Sequence, residues 1–305
     1  MVHRLAAAAA GVLLFAGSAS AQDAALVERG AYLVNGPLAC GNCHTPTGPD
    51  MRPDMTRELA GGFEFDEMPA FHAYARNITP DNETGIGTWT DEEIIRAIRE
   101  GVTPEGEIGP PMPIFTYNLM SDDDVLAVVA YLRSIPAVFN EIPDAVYNIP
   151  KPLPGPAAGL PAPPATDPVA YGGYIANALA HCFECHTPVD PATGAPDLTR
   201  LGAGGFAIAD VGPVTVISAN ITNDAETGLG NWTDAEIRRA LTQGFSKDGT
   251  MLFPIMPSQY FHNMTPEDID AVIAYLRTVP PVVNAVEKVD WMAVMGITPP
   301  PAPPL

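Results

Sequence analysis

All four cysteines of the chain sit in two pentapeptides, Cys40-Gly41-Asn42-Cys43-His44 and Cys182-Phe183-Glu184-Cys185-His186. Two thiols at this spacing can each form a thioether to one porphyrin, and the histidine that follows falls beneath the iron as its proximal ligand. C-x-x-C-H is the attachment sequence for c-type haem. A lone C-x-x-C also suits a redox dithiol, half a zinc site or a disulfide. The dithiol would be expected near a βαβ pattern, which the chain lacks. A tetrathiolate zinc site would have to join pairs about 140 residues apart and would leave both histidines unused. Histidine in register twice selects haem attachment, so the chain reads as a carrier of two covalent haem c groups.

Each iron needs a second axial ligand. His/Met ligation raises a haem potential and suits electron transfer. Met112 in Pro110-Pro111-Met112-Pro113 and Met256 in Pro254-Ile255-Met256-Pro257 lie 68 and 70 residues after His44 and His186, both in proline-stiffened loops. Met120 and Met264 also match each other, but each lies against a helix cap, where packing is the simpler role. His72 and His262 have no counterparts in the other half, which disfavours bis-histidine ligation. Asn77, Asn220, Trp89 and Trp232 recur in register and are candidate donors to haem propionates, with loop capping and core packing as the competing role. The Asp81-Asn82-Glu83 loop lacks the ligand spacing of an EF-hand, so calcium is not expected there.

These positions belong to one module written twice, at an offset of 142 to 144 residues. Gly30-Ala31-Tyr32-Leu33 matches Gly172-Gly173-Tyr174-Ile175, and Gly61-Gly62-Phe63 matches Gly204-Gly205-Phe206. Asn77-Ile78-Thr79 matches Asn220-Ile221-Thr222, and Ala130-Tyr131-Leu132-Arg133 matches Ala274-Tyr275-Leu276-Arg277. Thr90-x-x-Glu93 and Thr233-x-x-Glu236 are capping boxes that open amphipathic helices. Ser121-x-x-Asp124 and Thr265-x-x-Asp268 open the last helix of each module, which should stop near Pro136 and Pro280. A third helix runs up to each cysteine motif, from about Ala25 to Val34 and from Val169 to Leu179. Gly30 or Gly172 within it would admit the helix bearing Tyr131 or Tyr275. With its own helices and ligands, each module is expected to fold alone.

The chain begins with a basic start, an apolar run of about a dozen residues and Ala19-Ser20-Ala21, a secretory signal peptide with cleavage near Ala21. The run is short for an uncleaved anchor, no cysteine marks a lipoprotein site, and no later segment reaches spanning length. The expected product is periplasmic with no integral membrane segment. Losing Arg4 with residues 1–21 leaves 14 basic against 36 acidic residues, a formal charge of −22. That charge repels a phosphate backbone and excludes nucleic acid as a partner. It suits a redox protein with a basic docking patch, or else serves solubility.

The string from Cys40-Gly41-Asn42-Cys43-His44 through Gly61-Gly62-Phe63, Asn77-Ile78-Thr79-Pro80-Asp81-Asn82-Glu83-Thr84-Gly85 and Met112-Pro113 to Ala130-Tyr131-Leu132-Arg133 resembles class I cytochrome c domains. It is most similar to modules in the cytochrome subunits of bacterial alcohol and gluconate dehydrogenases. The resemblance implies an all-α fold: two tandem domains, residues 22–141 and 169–285, joined by a Pro-rich linker at 142–168 and followed by a tail at 286–305. Val138-Phe139-Asn140 and Tyr147 echo Val282-Val283-Asn284 and Trp291, so the first part of the linker could strap onto the first domain. The resemblance implies a periplasmic diheme electron carrier between a dehydrogenase donor and an oxidase or cytochrome acceptor, with no catalytic residues. The competing readings are a peroxidase-like or sulfur-oxidising enzyme with one open iron, or a fixed subunit of a dehydrogenase complex.

Overall fold

The computed structural model describes residues 10–48, 53–190 and 194–305, with side chains from Asp23 onward. Residues 1–9 of the expected signal peptide lie outside the described residues. The backbone of 10–21 forms the start of helix α1, Ala10–Asn35.

Each module is a helical frame around its cysteine motif. In the first, α1 leads into the short α2, Gly41–His44, which is the motif itself. Then come α3, Asp91–Glu100, α4, Ile114–Tyr117, and α5, Asp122–Ser134. In the second, α6, Pro168–Tyr174, runs on as a wider turn over Ile175–Leu179 before the motif helix α7, Cys182–Cys185. The counterparts of α3, α4 and α5 are α8, Asp234–Gln243, α9, Ser258–Phe261, and α10, Pro266–Leu276. A final turn, α11, spans Trp291–Val294.

The capping boxes set the helix starts. The Thr90 and Thr233 hydroxyls accept the Glu93 and Glu236 amides, and those carboxylates take the threonine amides in return. Ser121 and Thr265 cap α5 and α10 through the amides of Asp124 and Asp268. Gly101 and Gly244, both at positive φ, end α3 and α8 where a side chain would strain the backbone. The first and last helices of each module then cross at contact distance. A Cβ on Gly30 would lie 1.9 Å from the Ala127 carbonyl oxygen, and one on Gly172 would lie 1.8 Å from that of Ala271. Only glycine permits backbones this close.

The all-α expectation needs correction. Strands β1, Glu64–Glu67, and β2, Phe71–Tyr74, form an antiparallel hairpin, and a small ladder joins β3, Val102–Thr103, to β4, Gly106–Glu107. In the second module β6, Ala207–Val211, pairs with β7, Val214–Ile217. Val211-Gly212-Pro213-Val214 followed by the alternating Val214-Thr215-Val216-Ile217 is a hairpin signal of β-branched residues around a turn. The fold is a helical framework with small sheets appended to it.

The proline-rich segment is docked, not free. Its strand β5, Val146–Tyr147, adds to β2 to make a three-stranded sheet. Farther on, the Asn118 amide donates to the Gly155 carbonyl at 3.0 Å. The modules also share a core. One contiguous apolar cluster holds Leu33, Val34, Tyr117 and Met120 of the first and Ile175, Leu179, Tyr260 and Met264 of the second. The expectation of two self-sufficient cores therefore gives way to one continuous core, because part of each module's apolar surface is covered by the other. Among the described residues no helix is long and apolar enough to cross a membrane.

Candidate haem centres

Each C-x-x-C-H forms one helical turn. His44 N–H donates to the Cys40 carbonyl at 2.9 Å, and His186 N–H to that of Cys182 at 3.0 Å. Residues three and four apart on a helix are neighbours, which brings both thiols and the histidine of each motif to one side of the turn. Ala39 and His181, at φ 49° and 42°, bring the chain into the motif through left-handed backbone. The four thiols are unbridged. Burial pushes Cys40 and Cys182 up to about 12 and Cys43 and Cys185 to about 11. Reactive C-x-x-C dithiols have depressed values, so the upward shifts run against a redox pair. Cys43 also feels the Cys185 thiol across the module boundary. Even so, no three Cys, His, Asp or Glu side chains among the described residues converge as a metal cluster would.

The histidines are oriented identically. His44 Nδ1 lies 2.7 Å from the Arg76 carbonyl oxygen, and His186 Nδ1 lies 2.7 Å from that of Ala219. A ring whose Nδ1–H donates to a carbonyl keeps Nε2 unprotonated as a ligand. Desolvation lowers the pKa of both rings and favours the neutral, ligating form. The loops behind them are anchored too. His44 and His186 carbonyls accept the Gly61 and Gly204 amides at 2.7 and 2.8 Å, and buried Thr45 and Thr187 accept from Leu59 and Gly202. Four shielded thiols and two rings with fixed tautomers are a donor set that fits two covalent haems.

Met112 and Met256 are half-buried and pack on the apolar core. Their loops are pinned from outside: the Tyr147 hydroxyl donates to the Pro110 carbonyl, and Trp291 Nε1–H donates to that of Met251. Met120 and Met264 are only 1% and 8% exposed and belong to the core, as their place beside the caps suggested.

Asn77 and Asn220 are buried, and their amides are consumed within the protein. Asn77 Nδ2 donates to Thr84 Oγ1 and the Val138 carbonyl, and its Oδ1 accepts from Thr79. Asn220 repeats this with Thr227, Val282 and Thr222. Neither has a hydrogen left for a propionate, so their place in the structure is to lock the following strap to the loop. Trp89 and Trp232 are half-buried against the core, and their indole N–H groups meet no protein acceptor among the described residues. Their backbone is held by the last helix. Arg133 donates to the Ile86 and Trp89 carbonyls, and Arg277 to those of Leu229 and Trp232. The sequence repeat contained both arginines, but only the fold reveals that they brace the tryptophan loops. Asp81 and Asp224 cap their own loops through Thr84 and Thr227.

Both halves of the chain match known protein families. Residues 25–132 match the family described as cytochrome c oxidase, cbb3-type, subunit III, and residues 170–280 match cytochrome c. The chain is 32% identical over 312 residues to the cytochrome c subunit of a quinone-dependent alcohol dehydrogenase from Gluconacetobacter polyoxogenes, covering 92% of this chain and 63% of that protein. It is 32% identical over 297 residues to a gluconate 2-dehydrogenase cytochrome c subunit from Pantoea cypripedii, covering 91% and 65%. A diheme c-type cytochrome from Cereibacter sphaeroides is 27% identical over 259 residues, covering 79% of this chain and 82% of its own length. The chain thus spans less than two thirds of the dehydrogenase subunits it resembles.

Proposed function

Because the chain is a diheme c-type cytochrome built from two cytochrome c domains, we propose that it passes single electrons in the periplasm from a dehydrogenase to a respiratory acceptor. Cys40 and Cys43 would hold one haem, with His44 and Met112 as its iron ligands; Cys182, Cys185, His186 and Met256 would hold the other. The haems supply a one-electron iron couple, and the protein's part is to fix the ligands so that little rearranges between oxidation states. The observation that carries this is the repeated Nδ1–H to carbonyl contact at 2.7 Å, which commits each imidazole to ligation through Nε2. Pinned methionine loops in both modules support saturated irons over an open catalytic site. Trp89 and Trp232, whose indole donors meet no protein acceptor among the described residues, are assigned to the propionates.

Residues 1–21 act as the export signal in this reading, and the acidic surface meets a basic patch on the partner. That several relatives are cytochrome subunits of dehydrogenases supports a dehydrogenase as the donor, met either in solution or within an assembly.

The test is Met112→Ala and Met256→Ala in the haem-loaded protein. Each should abolish the far-red absorption of one Met-ligated ferric site, lower that site's potential and open it to peroxide. Wild-type spectra and potentials in both variants would reject the axial assignment.

A further inference from the structure

The two modules meet through a set of polar contacts that is reciprocal under the sequence repeat. Tyr32 of α1 reaches the cap of α10, where its hydroxyl accepts the Thr265 amide at 3.3 Å and donates to Asp268. Its counterpart Tyr174 of α6 reaches the cap of α5, where its hydroxyl accepts the Ser121 amide at 3.0 Å and donates to Asp124 at 2.7 Å. Each tyrosine stands eight residues before the first cysteine of its own motif. Each cap opens the last long helix of the other module, α5 or α10.

The cysteine motifs join the same contact. Asn42, inside the first motif, donates to the carbonyl of Ile255, the residue preceding Met256, at 3.1 Å and accepts from Gln259 at 2.8 Å. Its counterpart Glu184, inside the second motif, reaches Thr116 in the short helix after Met112, one position beyond the counterpart of Gln259. The ring of His181 meets that of Tyr117 edge-on at 6.1 Å. Tyr260 closes over Gly41, where an added Cβ would lie 2.4 Å from the tyrosine hydroxyl. The element that carries each attachment motif is therefore tied to the axial-methionine side of the other module.

We propose that Tyr32 and Tyr174 are positioning residues for electron exchange between the two haems, holding the attachment motifs in one fixed mutual geometry so that exchange needs no docking motion. The proposal rests on the two-haem reading above. A charge-assisted hydrogen bond from a hydroxyl to a carboxylate is directional and short, so two separate ones, reciprocal under the repeat, fix rotation as well as distance. The apolar part of the interface is non-directional and cannot fix that rotation by itself.

The experiment uses the full haem-loaded chain with Tyr32→Phe, Tyr174→Phe and the double variant, which keep the rings and remove the hydroxyls. Both far-red bands and both potentials should stay at wild-type values. Amide exchange at Thr265 and Ser121 should rise about fivefold, the factor that corresponds to one neutral hydrogen bond of ordinary strength. After rapid photoreduction, internal exchange should be independent of viscosity in the wild type. In the double variant it should be slower, by on the order of fivefold for the same reason, and viscosity-dependent. If the double variant does not fold, each single variant should show a smaller slowing of the same kind. A chain lengthened by a short Gly-Ser insert after exposed Leu160 should keep the wild-type rate. An unchanged internal rate in variants whose amide exchange has risen would overturn the proposal, as would a lengthened chain that slows. A wild-type protein lacking the far-red bands would instead reject the methionine ligation and leave the amide-exchange result standing.

Discussion

The Tyr147 hydroxyl donates to the Pro110 carbonyl oxygen 2.9 Å away, two residues ahead of Met112. It does so from strand β5, in the segment that follows the first module, while the ring packs beside Gly109. Trp291 in α11 makes the corresponding contact to Met251 at 3.0 Å and stacks edge-on against Phe253. The segment after each module thus fastens the loop that presents its methionine.

Tyr147→Phe should therefore loosen the first methionine loop. A neutral hydrogen bond contributes about 1 kcal/mol, so the pH at which Met112 is displaced from iron should fall by about 0.7 unit. The far-red band of the first site reports this while that of the second stays put. Trp291→Phe should do the same to the second site alone. A band insensitive to both changes would reduce the straps to packing.

Gly30→Ala and Gly172→Ala test the helix crossings. Alanine is intrinsically the better helix residue by about 1 kcal/mol. Against that gain, the new methyl would overlap the Ala127 or Ala271 carbonyl and force the helices apart. Overpacking of this kind costs about 1–3 kcal/mol and often more when backbone must move. The denaturant midpoint should fall in both variants; a rise would show that the helices can separate freely.

The capping boxes predict an acid-side loss of stability. Backbone and hydroxyl donors of Thr90 hold the Glu93 carboxyl below its usual range, and Thr233 does the same for Glu236. A carboxyl whose folded-state pKa is lowered contributes fully above its unfolded value and loses that contribution as pH falls through the folded value. Glu93→Gln and Glu236→Gln should thus flatten the decline of stability below about pH 4.3, the ordinary glutamate value. Melting curves across that window measure it, and an unaltered slope would remove the boxes from the acid response.

Local spacing made much of this legible. C-x-x-C-H, the methionine loops and the helix caps each depend on residues within a few positions of one another, and the repeat doubled every signal. Gly30 and Gly172 were readable because the repeat put glycine on matched helix faces. The hairpins are faint in the sequence although Val214 to Ile217 alternates, because a run of four residues is too short for its period of two to stand out beside the longer helical repeats. Asn77 and Asn220 could not be assigned from sequence, because their acceptors lie seven and about sixty residues away. The contact between modules was invisible for the same reason: Tyr32 and Asp268 are 236 positions apart.

The acidic surface predicts salt-sensitive association with a partner, since screening shortens its reach to about 8 Å at physiological ionic strength. The structure dictates which acids to neutralise. Asp122 pairs with Arg99, Asp124 pairs with Arg29 and Tyr174, and Glu64 pairs with His72, so changing them would disturb the fold. Asp66, Glu67 and Asp123 are exposed and form no ion pair among the described residues, which makes them the clean probes. Their neutralisation should slow the second-order step and flatten its salt dependence while internal exchange stays constant. A salt-independent encounter with a natural partner would assign the acidity to solubility.

The reciprocity of the Tyr32 and Tyr174 contacts has a consequence for ancestry. A single module of this kind carries both a tyrosine and a helix cap, yet its own tyrosine does not reach its own cap. Alone, it would display a self-complementary face that only a second copy could satisfy, which is the signature of an isologous dimer. Joining two copies through the proline-rich segment replaces a concentration-dependent encounter with a tethered one. Duplication then frees the halves to diverge, and Ala39 facing His181 across the repeat marks where they have begun to do so. The interface inside this chain thus has the form of an isologous pair of one module with itself.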